Sequence, residues 1–423
     1  MPRLLLLMPT ASYRTGDFME AASRPDLDVV VASNEGQPLA DLVPGRSLTT
    51  DFADPQHGAD QIARFADAYP LDAIVAVDDA GALLASHAGA LLKLPMNSVP
   101  AVESTRNKAL LRERLAAAGL PSPAYRVCRL EDDATQVAAE LVTQHGFPCV
   151  VKPLALAGSR GVMRADDPSA FKAAVQRLAA LLSRPDVIAE CGDLASQYLI
   201  EGYIPGAEVA LEGLLTDGAL HVLALFDKPD PLVGPFFEET IYVTPSRLPT
   251  AQQRTITARA EQAAAALDLR DGPIHIELRV TDNDAWPIDI AARTIGGHCA
   301  RALRFADGGS LEELVLRNAV GFPVDTFDRE SAASAVMMIP IPSAGRLEAI
   351  DGVDDARAIE SVTEVTMTVR PGRTLVPLPE GGEYLGFIFA KSDTPQDAEK
   401  AVRVAHAALQ FAIAPTDFAD NGS

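Results

Sequence analysis

Cysteine is scarce in this chain, and negative charge outnumbers positive charge. The 423 residues include four cysteines, none in a C-x-x-C pair, which argues against a disulfide scaffold or a zinc site and fits a reducing cytoplasm. There are 58 acidic and 36 basic residues, for a formal net charge of -22. Long-range repulsion therefore disfavours nucleic acids and anionic membranes as partners, and any bound phosphate must be held by local cations and metal ions.

Long apolar runs are missing as well. The apolar stretch at 4–8 is too short to span a bilayer and lacks a clear signal-peptide cleavage site, so we interpret it as a buried first strand. Repeats and low-complexity tracts are not found, apart from a polar end at 420–423 that we expect to be frayed. The 48% of hydrophobic residues is enough for two or three domains with buried cores.

The pattern of apolar residues divides the chain into three regions. In the first, short apolar runs at 4–8, 29–32 and 73–77 alternate with an amphipathic stretch, which predicts a doubly wound parallel sheet. The turn at 78–81 follows the third run, at the edge where such sheets place ligands. The middle region is predicted as α+β, with helices at 105–120, 169–182 and 255–267 and strands at 197–215, 218–228, 274–280 and 286–291. Past Pro323 we predict a separate small α+β lobe, with strands at 335–341, 363–369 and 384–390 and a helix at 397–414.

Two lysines and a glycine-containing loop form a candidate phosphate site. Lys152 follows two valines and precedes a proline, near the end of a predicted strand, and Lys108 lies in the first turn of a predicted helix. The loop at 155–162 contains Gly158 and Gly161, and glycine lets backbone N–H groups approach phosphate oxygens. Surface lysines and a simple hairpin loop would give the same pattern. The loop matches neither the Walker pattern nor the Rossmann fingerprint.

Acidic residues follow in two groups. The connector from Glu201 to Glu208 can offer Glu201 to an adenine amino group, the backbone of Ile204 to the base, and Glu208 to ribose hydroxyls. Glu277 and Asp289 lie on neighbouring predicted strands, and magnesium prefers one or two carboxylates with phosphate oxygens and water. Surface glutamates around a Pro-Gly turn, and the solvent face of a hairpin, are the alternatives.

A histidine and an arginine accompany the second acidic group. His275 lies on the same side of its predicted strand as Glu277, and Arg293 follows the neighbouring strand. This cluster is too rich in functional groups for a chance surface. An arginine at this place can stabilise a transferring phosphoryl group or a tetrahedral oxyanion.

In this order, the segments resemble the ATP-grasp superfamily over roughly residues 1–330. The resemblance implies that the chain binds ATP and Mg²⁺, with Mn²⁺ as an alternative ion. It also implies the role of each residue: Lys108 and Lys152 as nucleotide lysines, Ser159 and Gly161 in a phosphate flap, Glu201, Ile204 and Glu208 in the hinge, Lys228 on the triphosphate, and Glu277 and Asp289 on the metal.

The chain departs from the usual ATP-grasp pattern in ways that are more similar to the L-amino acid ligases, which form dipeptides. Asp289-Ile-Ala stands where glutamate, any residue and asparagine are usual, and 287–293 resembles the Glu-x-Ala-Ala-Arg segment of those ligases with a shorter acid. We therefore expect a second metal to be held less tightly. The segment 237–246 resembles their substrate-facing segment, but Ile241-Tyr242 replaces the usual glycine-histidine, which predicts a different substrate preference.

The resemblance sets the expected fold class, α/β and α+β in an ATP-grasp arrangement. It divides the chain into a doubly wound parallel-sheet domain (1–103), a small ATP-grasp lobe with the flap (104–190), a large lobe with the metal site (191–330) and a ligase-type C-terminal lobe (331–423). The last lobe is expected to act as a lid over the amine-side pocket. A homodimer is expected from the resemblance alone.

The expected function is ATP-dependent joining of a small-molecule carboxylate to an amine, giving an amide such as a dipeptide through an acyl phosphate. Arg293, Lys228 and Glu239 are the expected catalytic residues, and the expected substrate contacts are Glu239, His275, Gly296, Gly297 and His298. The general base stays open among Glu239, His275 and His298, although a histidine after two glycines is more often structural. The rival functions are an ATP-grasp carboxylase that uses bicarbonate and a nucleotide-binding protein without catalysis.

Overall fold

The computed structural model describes residues 1–24, 26–36, 43–144, 146–282, 284–324 and 326–415. The predicted fraying at 420–423 lies outside these residues. No helix in the described ranges combines the length and the apolar character needed to cross a membrane.

The N-terminal domain is the predicted doubly wound parallel sheet, with strand order β3-β2-β1-β4. Leu4 to Leu7 are fully buried, which explains why so short a run forms the central strand. Asp78 caps the helix after the last strand by accepting a hydrogen bond from the backbone of Ala80 (3.1 Å). The elements are β1 (Arg3–Leu7), α1 (Thr15–Ala22), β2 (Asp28–Ser33), β3 (Ser47–Thr49), α2 (Pro55–Ala68), β4 (Ala73–Ala76) and α3 (Asp79–Leu92).

The helix predicted at 105–120 is in fact two helices, α4 (Val99–Arg106) and α5 (Lys108–Ala117). Asn107 adopts an extended conformation between them, and its side chain accepts a hydrogen bond from the backbone of Ala109 (3.0 Å). This cap starts a new helix and places Lys108 in its first turn.

The small lobe is an antiparallel sheet of order β5-β8-β6-β7 covered by helices. The flap loop connects β6 to β7, a short strand that was not predicted from the sequence. The elements are β5 (Tyr125–Arg129), α6 (Ala134–Gln144), β6 (Cys149–Pro153), β7 (Met163–Ala165), α7 (Pro168–Leu182), α8 (Pro185–Cys191) and β8 (Gln197–Gly202).

The large lobe contains a hairpin of two strands around the Asp217-Gly218 turn, as predicted, and both of its strands belong to a wider antiparallel sheet. The helix predicted at 255–267 begins earlier. The elements are β9 (Ala207–Thr216), β10 (Ala219–Asp227), β11 (Ile241–Thr244), α9 (Thr250–Ala266), β12 (Gly272–Val280), β13 (Ala285–Ala291) and α10 (Leu311–Ala319).

The C-terminal lobe shares its main sheet with the large lobe, in the order β13-β12-β9-β10-β11-β14-β18-β16. Strands β11 and β14 join the two lobes, with Ile241 opposite Met337. The helix predicted at 397–414 ends earlier, because residues 410–414 pair with another strand instead. The elements are β14 (Ala333–Ile339), β15 (Gly345–Asp351), α11 (Val353–Arg357), β16 (Val362–Met367), β17 (Thr374–Leu375), β18 (Gly386–Ser392), α12 (Pro395–Ala408) and β19 (Gln410–Ala414).

Candidate functional site

Three neighbouring strands, β9, β12 and β13, form a polar floor on one face of the large sheet. Residues directly opposite one another in an antiparallel sheet point to the same face. The pairs that build the floor are Glu208 with Arg279, Glu212 with His275, and Glu277 with Asp289. The alternate residues, such as Ile276 and Ile290, are buried in the core on the other face. The acidic face of the predicted hairpin is therefore a site wall rather than plain solvent-exposed surface.

Lys228 lies among three carboxylates, two from this floor (Glu208 and Glu277) and one, Glu239, from the segment between β10 and β11. Its Nζ is 2.8 Å from Glu208 Oε1 and 3.4 Å from Glu277 Oε1, and it also pairs with Glu239. Burial alone would lower the pKa of Lys228, but the three carboxylates outweigh it and raise the pKa well above its usual value. With 3% of its side chain exposed, Lys228 lies beneath the carboxylates, so its predicted contact with a triphosphate stays a prediction.

His275 is fixed between two carboxylates. Its Nδ1 is 3.1 Å from Glu212 Oε2, and its Nε2 is 3.5 Å from Glu277 Oε1. Burial opposes the charged imidazolium, but the bonds to both carboxylates raise the pKa of His275. Glu212 also accepts the backbone N–H of Ile295 (3.0 Å) and so ties the loop after β13 to the floor. Glu212 was missed in the sequence, although Glu208 and Glu212 show the spacing of one strand face.

Glu277 and Asp289 offer two oxygens suited to a metal ion. Glu277 contacts Lys228 and His275 through Oε1, and no partner is found for its Oε2 in the described part of the chain. Asp289 contacts Lys108 (3.2 Å) through Oδ2, while its Oδ1 is buried without a hydrogen-bond partner. Magnesium prefers carboxylate oxygens. The two predicted metal ligands are thus directly paired across the sheet, and each has an oxygen to offer.

Most of the residues predicted to bind the nucleotide line a cavity between the small and large lobes. The predicted residues that line it are Lys108, Lys152, Ser159, Glu201, Ile204, Glu208, Glu277 and Asp289. Gly161 lies at the base of the flap, where an added Cβ would be 2.9 Å from Leu178 Cδ1.

A buried triad of Arg112, Glu201 and Lys152 lies beside this cavity, and Glu201 and Lys152 line it. Lys152 Nζ is 2.6 Å from Glu201 Oε2, and Arg112 Nε is 2.6 Å from Glu201 Oε1. Burial is the largest single effect on the pKa of Glu201 and raises it. The charges and hydrogen bonds of Arg112 and Lys152 together outweigh burial and lower the pKa below its usual value. Both carboxylate oxygens of Glu201 are occupied. The predicted contact of Glu201 with adenine is untested, and its observed contacts position Lys152.

Arg112 was missed in the sequence, where it looks like any helix arginine. It is fully buried and also donates to the backbone carbonyls of Pro287 (2.8 Å) and Ile288 on β13. Arg112 therefore joins α5 to the small lobe and to β13, the strand that carries the predicted metal ligand Asp289.

We expect Arg112→Met to lower the free energy of unfolding by about 3–5 kcal/mol, because it leaves a buried carboxylate with one partner fewer and two carbonyls without a donor. Denaturant unfolding measures this loss. Arg114→Met, at an exposed position of the same helix, is the matched control and should change stability little. Equal stability of the two variants would contradict the structural role of Arg112.

The flap is attached to the C-terminal lobe. The backbone N–H of Gly161 donates to the carbonyl of Pro379 (2.8 Å), and Arg177 of α7 pairs with Glu380. Gly158 and Gly161 have positive φ values of 62° and 72°. Glycine adopts this conformation without strain.

The two flap glycines allow a matched comparison. We expect Gly158→Ala to cost about 1–2 kcal/mol, because only the left-handed conformation opposes it and its Cβ would meet open space. Gly161→Ala adds overpacking against Leu178 and Pro153, for a total of about 2–4 kcal/mol. Thermal and denaturant unfolding compare the variants. A smaller loss for Gly161→Ala than for Gly158→Ala would contradict the crowded geometry at the flap base.

A second, larger cleft adjoins the first. Glu239, His275, Glu277 and Arg293 line both spaces, so these side chains stand where the two meet. The predicted substrate residues Gly296, Gly297 and His298 also line the second cleft.

The N-terminal and C-terminal domains complete the second cleft. Arg293 Nε is 2.8 Å from Asp79 Oδ2, at the turn after β4 where the sequence predicts a ligand edge. The ring of His298 lies edge-on to Tyr13 and Phe387, at 5.5 and 5.1 Å, and its Nδ1 is 3.6 Å from Asp17. These contacts favour a structural role for His298.

The family models match two parts of the chain. An ATP-grasp domain matches residues 145–302, and an L-amino acid ligase C-terminal domain 2 matches residues 337–414. The solved L-amino acid ligase from Bacillus licheniformis superposes with a TM-score of 0.80 at 25% identity, over 98% of this chain and 99% of that one.

Curated relatives match over a smaller part of the chain. An uncharacterized protein of Sinorhizobium fredii is 28% identical over 76% of this chain and 64% of its own length. Alanine–anticapsin ligase of Bacillus subtilis is 28% identical over 61% of this chain and 56% of its own length. The chain thus spans less than two thirds of these relatives. In agreement with the fold and the site, the chain therefore carries an ATP-grasp domain and the C-terminal domain of the L-amino acid ligases.

Proposed function

We propose that this protein is an ATP-dependent carboxylate–amine ligase of the L-amino acid ligase type, and that it forms an amide such as a dipeptide. The observation that carries the proposal is the shared wall of the two spaces, where Glu239, His275, Glu277 and Arg293 face both. A γ-phosphate entering from the first space would meet a carboxylate entering from the second at these side chains.

In the first step, an oxygen of the substrate carboxylate attacks the γ-phosphorus of ATP. The bond from that phosphorus to the bridging oxygen breaks, and ADP leaves an acyl phosphate behind. Lys152 and Arg293 oppose the repulsion between the two anions, since both are cations on the cavity walls. Glu277 and Asp289 would hold Mg²⁺, which supplies further charge neutralisation when bound.

In the second step, a neutral amine attacks the acyl carbon, phosphate leaves, and the amine loses a proton. Glu239 is our candidate for the proton acceptor. Burial and the neighbouring Glu277 raise the pKa of Glu239, and Tyr242 donates to its Oε2 (2.7 Å). A raised pKa makes a carboxylate a stronger base. The flap and the C-terminal lobe, which are in contact, would exclude water from the acyl phosphate.

The test is phosphate release across a matrix of amino acids taken in pairs, with mass spectrometry of the product. We expect ADP, phosphate and a condensed amide for at least one pair. Release that requires bicarbonate would instead indicate a carboxylase. ATP binding without release for any pair would indicate a nucleotide-binding protein without catalysis.

Two accompanying proposals concern location and assembly. Four buried free cysteines fit the proposed cytoplasmic location.

The proposed homodimer would be tested by light scattering coupled to size-exclusion chromatography, where a monomer at all concentrations would contradict it.

A further inference from the structure

We propose that Arg160 of the flap and Arg370 of the C-terminal lobe bind a carboxylate of the amine-side substrate, the molecule whose amine attacks the acyl phosphate. That substrate is therefore a free amino acid rather than a simple amine. This inference rests on the proposed function, because it assumes that an amine reaches Glu239 in the second cleft. It names the chemical class of one substrate and the two residues that select it.

Neighbouring flap residues face different spaces. Ser159 lines the first cavity, whereas Arg160 lines the second cleft and, in the described part of the chain, not the first cavity. The flap thus presents a hydroxyl to one space and a guanidinium to the other. The charge of Arg160 is placed for a ligand of the second cleft.

Arg160 is held in this position from two sides. Its Nη1 is 2.9 Å from Glu190 Oε2, and its side chain is only 19% exposed. Its stem lies against Gly382, where an added Cβ would be 2.5 Å from Arg160 Cδ. Nη1 is the only guanidinium nitrogen of Arg160 with a hydrogen-bond partner among the residues that the structure describes. The rest of the planar guanidinium can therefore donate to a carboxylate, for which its geometry is suited.

Arg370 belongs to a rim segment that is paired with the loop beneath Arg160. Three residues further along this segment, Arg373 pairs with Glu383 (3.2 Å), which follows the glycine that supports Arg160. Arg370 lines the second cleft, is exposed, and has no ion-pair partner within the described ranges. An arginine in this state can bind an anionic group of a ligand at the cleft.

The positions of these charges orient an amino acid in the cleft. Glu239, our candidate proton acceptor, lines both spaces and so lies at the shared wall. Arg160 and Arg370 line the second cleft and lie away from that wall. An amine directed to Glu239 therefore leaves the carboxylate of the same molecule toward the arginines. The two cations also attract an anionic group that a chain with a formal net charge of -22 would otherwise repel.

The test compares free amino acids with their carboxamides as amine donors to the full-length enzyme. The probes are the amino acids of the pair matrix and their amides, such as L-alaninamide and L-phenylalaninamide. An amide has no carboxylate to activate, so it can act on the amine side only. We expect kcat/KM to be about 10- to 100-fold lower for the amides, as the loss of a charged hydrogen bond predicts. Loss of the carboxylate also leaves the amine more often neutral, so basicity opposes the expected preference.

Arg160→Met and Arg370→Met provide the second arm. We expect each to raise the KM of the amine-side amino acid about tenfold, to leave the KM of ATP and of the acid substrate unchanged, and to narrow the preference over the amide. Gly382→Ala should have the same effect in a weaker form, because its methyl group displaces the stem of Arg160. Arg114→Met, exposed on α5, is the control and should match wild type.

The possible outcomes separate this inference from the proposed function. Equal kcat/KM for free amino acids and their amides in the wild-type protein would overturn the inference and leave the proposed function standing. A higher KM for the acid substrate, with that of the amine unchanged, would assign the arginines to the acid side and would also overturn the inference. No condensed product with any donor would overturn both. If a methionine variant does not fold, the comparison in the wild-type protein decides.

Discussion

Glu277→Gln is expected to lower kcat by about 10²–10³-fold while leaving the fold largely intact. The substitution keeps the size of the side chain but removes the charge of Glu277, a floor residue that lines both cavities. Lys228 retains its pairs with Glu208 and Glu239, so the floor keeps most of its ion pairs. Phosphate release measures turnover, and circular dichroism with thermal unfolding checks the fold.

Glu348→Gln is the matched control for this experiment. Glu348 lies on β15 at an exposed position, so the same chemical change there should leave kcat unaltered. Wild-type turnover in Glu277→Gln would refute the metal and charge role of this residue. Loss of folding together with activity would show that the ion pairs of Glu277 are chiefly structural.

Lys152→Ala is expected to weaken ATP binding by about 10- to 100-fold, as the loss of a charged hydrogen-bond donor predicts. Lys152 lines the cavity between the small and large lobes and is held in place by Glu201. Arg112 stays on Glu201 in this variant, so the carboxylate keeps one partner. Calorimetric titration with ATP measures the change in Kd.

Lys400→Ala controls for loss of one positive charge elsewhere, since Lys400 is exposed on α12. We expect it to bind ATP like wild type. Unchanged affinity in Lys152→Ala would show that Lys152 serves only to neutralise the buried Glu201.

The local parts of the site could be predicted from the sequence because they follow short-range patterns. The alternation around Glu277 and Asp289 predicted two strands, and the structure pairs these residues directly. Glycine residues predicted the flap loop and the turn at Asp217-Gly218, because glycine adopts the backbone conformations that such loops and turns require. Such features depend on neighbours along the chain.

Contacts between distant segments could not be predicted in this way. Arg112 and Glu201 are 89 positions apart, and Lys108 and Asp289 are 181 apart, so no spacing rule connects either pair. Asn107 could have indicated the break between α4 and α5, since asparagine is a frequent helix cap. The shared sheet of the large and C-terminal lobes depends on the pairing of β11 with β14, which is a tertiary contact.

The transfer of oxygen from the substrate carboxylate to phosphate tests the central claim most directly. The acid substrate is labelled with oxygen-18 in its carboxylate, and the phosphate released during amide formation is analysed by mass spectrometry. Because the attacking oxygen leaves with the phosphoryl group, we expect one labelled oxygen in the phosphate and ADP as the nucleotide product. Unlabelled phosphate, or AMP in place of ADP, would contradict activation of a carboxylate at the shared wall of the two cavities.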